Sequence, residues 1–237
     1  MKKRTIFILI TIVIAVFIVS GLLGYLNMRD EKTNFVRQKL QTGDTTYLYN
    51  FYISGRPNLD NRLYFGSPNA SITFITYMDV HTPAAKYFMD TTFPNLTQDY
   101  IYTNQMRFYH KQYLTIDDYQ QKTDTFIYAN ALACMQLYNK NKYYDFYFAL
   151  FNTTKENIPA LASTFNVSGI VFNNCLYGKT FDSVREDMME VDNFGMTGVT
   201  PRIYVGIEGR QLTQVSGIPS YTRLKQIIRQ YQIQLGQ

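Results

Sequence analysis

The sequence predicts an α/β domain: a mixed central sheet with helices packed on it and a helical block inserted midway, preceded by an apolar N-terminal span. Three observations carry this. The patterns run strand, helix, strand, helical block, hairpin, helix, and a strand-helix-strand opening requires a crossover and therefore a parallel pair. A two-residue turn at Glu208-Gly209 makes the last two strands antiparallel. Thr5 to Met28 are 24 consecutive uncharged residues, roughly 36 Å as a helix, which is long enough to cross a bilayer.

From the N-terminus, Lys2, Lys3 and Arg4 form a tail (1–4) ahead of the apolar span (5–26). The span is longer than the roughly 7 to 15 apolar residues of a cleaved secretory signal, and Ser20, Gly21 and Gly24 make an indifferent cleavage site. It reads as an uncleaved signal anchor. Basic residues on its N-terminal side keep that end cytoplasmic, so the expectation is a single-pass cell-membrane protein with an extracytoplasmic body. Residues 27–62 are polar and Tyr-rich without a sustained period and read as a juxtamembrane spacer. The domain follows at 63–237, with the helical insertion at about 114–195.

Within the domain a short strand is expected at Arg62 to Phe65, then the turn cluster Gly66-Ser67-Pro68-Asn69. Ser71 to Val80 is β-branched and aromatic, a buried strand. Thr82-Pro83 starts a helix, because Thr as N-cap accepts an amide hydrogen bond and Pro suits the first helical position. That helix should reach about Tyr100, with Phe88 and Leu96 inward and a bend at Pro94. A second strand is expected at Gln105 to Tyr109. Helices follow at Asp117 to Tyr138, Tyr143 to Phe151, Glu156 to Phe165, Ser168 to Leu176 and Thr180 to Asp192. Strands at Arg202 to Ile207 and Gln211 to Ser216 form the hairpin. Leu224, Ile227, Ile228, Tyr231 and Leu235 at helical spacing mark an amphipathic closing helix.

Charge narrows the function classes. Taking Lys2, Lys3 and Arg4 from 23 basic residues leaves 20 against 18 acidic ones, so most of the net +5 sits in the tail. A near-neutral body offers no field for phosphates, and nucleic acid is set aside as a partner. His81 and His110 are the two histidines. With no C-x-x-C or H-E-x-x-H beside them, no metal is expected. Phosphate-loop, dinucleotide and G-x-S-x-G patterns are also missing, and no cofactor is expected. Cys134 and Cys175, an even pair in an oxidising compartment, are expected to form one structural disulfide, the alternative being two unpaired buried thiols. Sequons occur at Asn69, Asn95, Asn152 and Asn166. With 17 Asn and 33 Ser plus Thr in 237 positions, chance alone gives about 2.4 of them, so they are candidate glycosylation sites and no more.

The segment Gly66-Ser-Pro-Asn-Ala-Ser-Ile-Thr-Phe-Ile-Thr-Tyr-Met-Asp-Val-His-Thr-Pro-Ala-Ala-Lys-Tyr-Phe88 resembles the opening of a DsbA-family domain, where G-S-P-x-A and a strand precede C-P-x-C-K-x-F. Gly195-Met-Thr-Gly-Val-Thr-Pro201 is similar to that family's G-V-x-G-T-P loop, which bears a cis-proline. The resemblance covers about Leu63 to Gln237 and implies a thioredoxin-like mixed sheet. It also implies a second cysteine pair in the insertion, where Cys134 and Cys175 fall. The departures matter for function. The family's redox cysteines fall on Thr82 and Ala85, in the motif Thr82-Pro83-Ala84-Ala85, and its strand acid falls on Thr76. Disulfide exchange needs a thiolate to attack a disulfide sulfur, and neither Thr nor Ala supplies one. Pro201 and Thr200 are retained. The resemblance therefore implies that Val199, Thr200 and Pro201 pair with an extended peptide, a form of strand addition; the alternative is that Pro201 only shapes the core.

Thr82 as a nucleophile would need an adjacent base. His81 is its neighbour, although a solvated polar residue at a helix start is the simpler reading. In the aromatic segment, Tyr144, Phe148 and Phe151 share one helical face and read as core. Tyr143 and Tyr147 share another, either an interface or packing inside the insertion. Three functions compete: a protein- or peptide-binding, chaperone-like module; a structural component of an envelope complex; and an oxidoreductase. The last would have to use Cys134 and Cys175, which lie 41 positions apart inside predicted helices. No exchange activity is expected.

Overall fold

A computed structural model describes residues 56–237 apart from Thr197, Val199, Gln211 and Gln237. Its folded unit is Asn61–Gln237. The predicted anchor at 5–26 and nearly all of the spacer lie outside the described residues. Among those described, no helix is long and apolar enough to cross a membrane.

Five strands form one sheet in the order β1 (Phe65–Gly66), β3 (Met106–Gln112), β2 (Ile72–Met78), β4 (Arg202–Ile207), β5 (Leu212–Ser216). β2 pairs parallel with β3 and antiparallel with β4, and the two outer pairs are antiparallel. This is the mixed sheet that the crossover and the hairpin turn require. All seven residues of β2 are buried. On one face Phe74 packs on Phe88 of α1 (Pro83–Thr91), centroids 6.4 Å apart, and on Phe108 of β3 at 6.2 Å. After α1 comes α2 (Phe93–Leu96), which runs into a π-helical turn at Thr97–Ile101. The expected bend therefore takes the form of a break at Thr92, with Pro94 inside the first turn of α2, where its missing N–H costs nothing. Phe88 and Leu96 are both fully buried.

The insertion holds α3 (Ile116–Gln121), α4 (Asp124–Asn139), α5 (Tyr143–Leu150), α6 (Ile158–Thr164), α7 (Gly169–Gly178) and α8 (Asp182–Asn193), and α9 (Tyr221–Gln234) closes the chain. The helix expected at Asp117 to Tyr138 is two. Thr115 and Asp118 form a reciprocal capping box that starts α3, and Lys122 at φ 55° ends it in the left-handed region.

Three expectations need correction. Tyr143 (7 % exposed) and Tyr147 (0 %) are core residues, whereas Tyr144, Phe148 and Phe151 are half-buried. The inward stripe is Tyr143, Phe146, Tyr147, Leu150, because α5 packs between the sheet and the other insertion helices and buries its i, i+3, i+4, i+7 positions. β1 lies at Phe65–Gly66, later than expected, where Gly66 takes φ 122° and a Cβ in its place would run into the Met106 carbonyl oxygen. β3 extends three residues past Tyr109, through His110, Lys111 and Gln112.

Lys111 and the Gln112 backbone N–H find partners on α8 across the opposite face of the sheet, while the His110 ring packs on Tyr147 of α5, centroids 4.5 Å apart. Lys111 Nζ lies 2.5 Å from Glu190 and 3.2 Å from Asp187 on α8, with all three side chains at most 2 % exposed. Tyr77 donates to the same Glu190 carboxylate. Arg62, assigned above to the spacer, belongs to this network: it binds Asp187 at 2.8 Å and Glu186 at 3.1 Å. Burial raises the Glu190 carboxyl from its ordinary value, and the Lys111 charge opposes that rise. Removing one member of such a network strands the others without water. Lys111→Ala should therefore destabilise the fold by about 3–5 kcal/mol, read from the midpoint of urea unfolding. Lys111→Met combined with Glu190→Leu should cost much less than the two single changes summed.

Candidate functional site

The site is assembled where β2 ends. Its next residue, Asp79, is 7 % exposed and turns the chain into α1. The Asp79 carboxylate accepts from the His81 backbone N–H (3.2 Å), from His81 Nδ1 (3.0 Å) and from Thr125 Oγ1 of α4 (2.7 Å). Thr82 donates Oγ1 to the Asp79 carbonyl at 2.8 Å and accepts from the Ala85 N–H at 3.3 Å, as an N-cap should. Pro83 fills the first helical position, Ala84 is half-buried and the Ala85 methyl is fully buried. The Thr82 hydroxyl is thus committed to the helix cap and the turn. It makes no bond to His81, so no nucleophile–base pair exists.

The second half of the site is the loop leading into β4. The Thr200–Pro201 peptide is cis. The β2–β4 ladder ends at Tyr77 opposite Arg202, so the chain on either side of that pair leads to the turn after Met78 and to the Thr200–Pro201 peptide. Tyr113 ties the two halves: its N–H binds the Met78 carbonyl (3.1 Å) and its hydroxyl donates to the Met196 carbonyl (2.7 Å). On the far side the Gly217 N–H binds the Pro201 carbonyl at 2.9 Å. Gly195 and Gly198, at φ 59° and 70°, take the left-handed turns that shape the loop. Thr200 Oγ1 is buried and has no hydrogen-bond partner. Val199, the third residue proposed for the loop, lies outside the described residues.

Cys134 and Cys175 are bonded across α4 and α7, S–S 2.06 Å and Cα–Cα 6.1 Å, and are 0 % and 1 % exposed. Thr125 and Cys134 share α4, so the bond sits about 14 Å along that helix from the site. Asn69, Asn95, Asn152 and Asn166 are all exposed, and Asn152 accepts from Lys86 Nζ at 2.7 Å. Two clefts among the described residues lie elsewhere, about 670 Å³ along β1 between Tyr64 and Tyr144 and about 410 Å³ between Met89 and Phe151. Neither contains a residue of the turn or the loop. No group of three or more His, Cys, Asp or Glu side chains among the described residues is placed to hold a metal. Sequence reasoning missed Asp79 with its partner Thr125, and Tyr128, on which the His81 ring stacks; the signal was an Asp two residues before a His at a strand-to-helix turn.

The thioredoxin family profile matches residues 58–229. The chain belongs to the thioredoxin family. No curated protein matches it by sequence, and solved structures of several DsbA-type proteins are similar to it in fold. Oxidised BdbD from Bacillus subtilis is similar at TM-score 0.64 and 19% identity, over 74% of this chain and 95% of that one. DsbA from Chlamydia trachomatis gives 0.58 and 15%, over 73% and 93%. The thiol-disulfide exchange protein α-DsbA2 from Wolbachia pipientis gives 0.58 and 15%, over 78% and 92%. At such identities the likeness establishes the thioredoxin fold, which the strand order and the cis-proline loop already express, and leaves the chemistry to this chain's own residues.

Those residues place the disulfide away from the site, closing a loop of about 42 residues in the unfolded chain, which the chain-entropy picture values at about 4 kcal/mol. Reduction, or Cys134→Ser, should lower the melting temperature by several degrees in a thermal scan and leave any binding at the site unchanged at temperatures where the domain stays folded.

Proposed function

We propose that this DsbA-like domain is redox-inactive and binds extended polypeptide at the cis-proline loop, held outside the cytoplasm by a membrane anchor at residues 5–26. One observation carries the reading. The positions of the family's cysteines hold a helix-capping hydroxyl, Thr82, and a buried methyl, Ala85, while the loop facing them keeps its cis Thr200–Pro201 peptide. Exchange needs a thiolate that can reach a disulfide. The sequence has two cysteines, and both are consumed in one buried bond remote from the loop. Strand addition needs only backbone.

The test has two arms on the full chain. In an insulin-reduction assay the wild type should match buffer, and Thr82→Cys with Ala85→Cys, which recreates C-P-x-C at a helix N-terminus, should give measurable turnover. Wild-type turnover abolished by Cys134→Ser would sink the redox-inactive assignment. In the second arm, a rhodamine-labelled, reduced and carboxamidomethylated polypeptide without histidine should bind with an anisotropy change. Absence of binding up to about 100 μM chain would sink the peptide-binding assignment.

The membrane arrangement has its own check. Protease added outside intact cells should digest the chain beyond about residue 27 and leave the short basic tail; complete protection would reverse the orientation.

A further inference from the structure

Around the start of α1 the polar side-chain atoms are nearly all used internally. Asp79 takes three donors, two of them from His81. Thr82 both donates and accepts within the turn, and the Tyr128 hydroxyl donates to the Thr153 carbonyl at 2.6 Å. What remains is Nε2 of His81. Its ring is held by the Nδ1 bond to Asp79 and by stacking on Tyr128, centroids 5.4 Å apart with planes at 24°. Asp79 cannot swing away, because Thr125 holds its other oxygen. A carboxylate only accepts, so Nδ1 carries hydrogen, and the neutral ring presents Nε2 as an acceptor. The side chain is 38 % exposed. It stands on the turn that follows β2, just past the Tyr77–Arg202 end of the β2–β4 ladder, and a group fixed this firmly loses little rotamer freedom on binding.

Resting on the peptide-binding reading above, we propose that His81 is the site's specificity-determining polar contact: Nε2 accepts a hydrogen bond from an N–H or O–H of an extended polypeptide lying along Thr200 and Pro201. The ring's neighbours are Asp79 from its own turn, which takes the Nδ1 hydrogen, and Tyr128 on α4, on which it stacks. Burial holds the Tyr128 hydroxyl above its ordinary range.

The same labelled, histidine-free polypeptide tests this on the full chain. His81→Phe keeps a ring for Tyr128 to stack on and deletes both nitrogens. It should bind about three- to tenfold more weakly than wild type at pH 7.5, the loss of one hydrogen bond. His81→Gln, which restores a hydrogen-bonding side chain, should recover most of the affinity. Wild-type binding that His81→Phe leaves unchanged, or a loss that His81→Gln does not restore, overturns the role of His81 while the peptide-binding reading stands. Failure of the wild type to bind overturns both.

Discussion

A strand that is buried on both faces and paired on both edges has one position open to it. β2 is such a strand, with β3 on one side, β4 on the other and no exposed residue along its length. The turn that follows it is delivered to a fixed place, and Asp79 fixes its shape. One carboxylate joins the strand end, the imidazole of His81 and the start of α4, while the carbonyl of the same residue receives the Thr82 hydroxyl. The cis-proline loop owes its position to the same strand through the β4 ladder and through Tyr113. Site geometry in this domain is therefore a property of the sheet. The identities of the residues at positions 82 and 85 decide which chemistry that geometry can host.

How much of this was legible in sequence depended on how local each signal was. β2, the Thr82 cap, the β4–β5 hairpin and the final helix are encoded by runs, caps and turns that act within a few residues, and they were readable to within one or two positions. The family resemblance added the cis-proline loop. What escaped was decided by partners far away in sequence. Lys111 and Gln112 look unlike a buried strand until α8 supplies Asp187 and Glu190 about 75 to 80 residues later. Arg62 looks like spacer until the same helix receives it. In α5 every face is aromatic, so periodicity could not choose between Tyr144 with Phe148 and Tyr143 with Tyr147; the neighbouring elements chose. Asp79 was hidden because its value lies in converging donors, one of them from Thr125 in a different helix.

The insertion contributes more than bulk. α4 carries Thr125 and Tyr128 to the site at its N-terminal end and Cys134 further along, where the bond to α7 crosslinks the block to itself. Asn130 lies between them and donates to the carbonyls of Leu176 (2.7 Å) and Lys179 (3.0 Å), satisfying the C-terminal end of α7. The disulfide and this amide hold the same pair of helices, so the groups that contact His81 stand on a braced support.

Arg62 has a mechanical consequence. β1 is only two residues long and lies at the sheet edge, so a pull on the N-terminal side of the domain directed across the sheet would peel it away one hydrogen bond at a time. Arg62 precedes β1 and is gripped by Asp187 and Glu186 of α8 together with the Ser183 carbonyl. Tension arriving along the chain meets this clamp first and is passed into a twelve-residue helix instead of the fragile edge. If the proposed anchor tethers the domain from its N-terminal side, the guanidinium works as a strain relief, like the collar where a cable meets its housing.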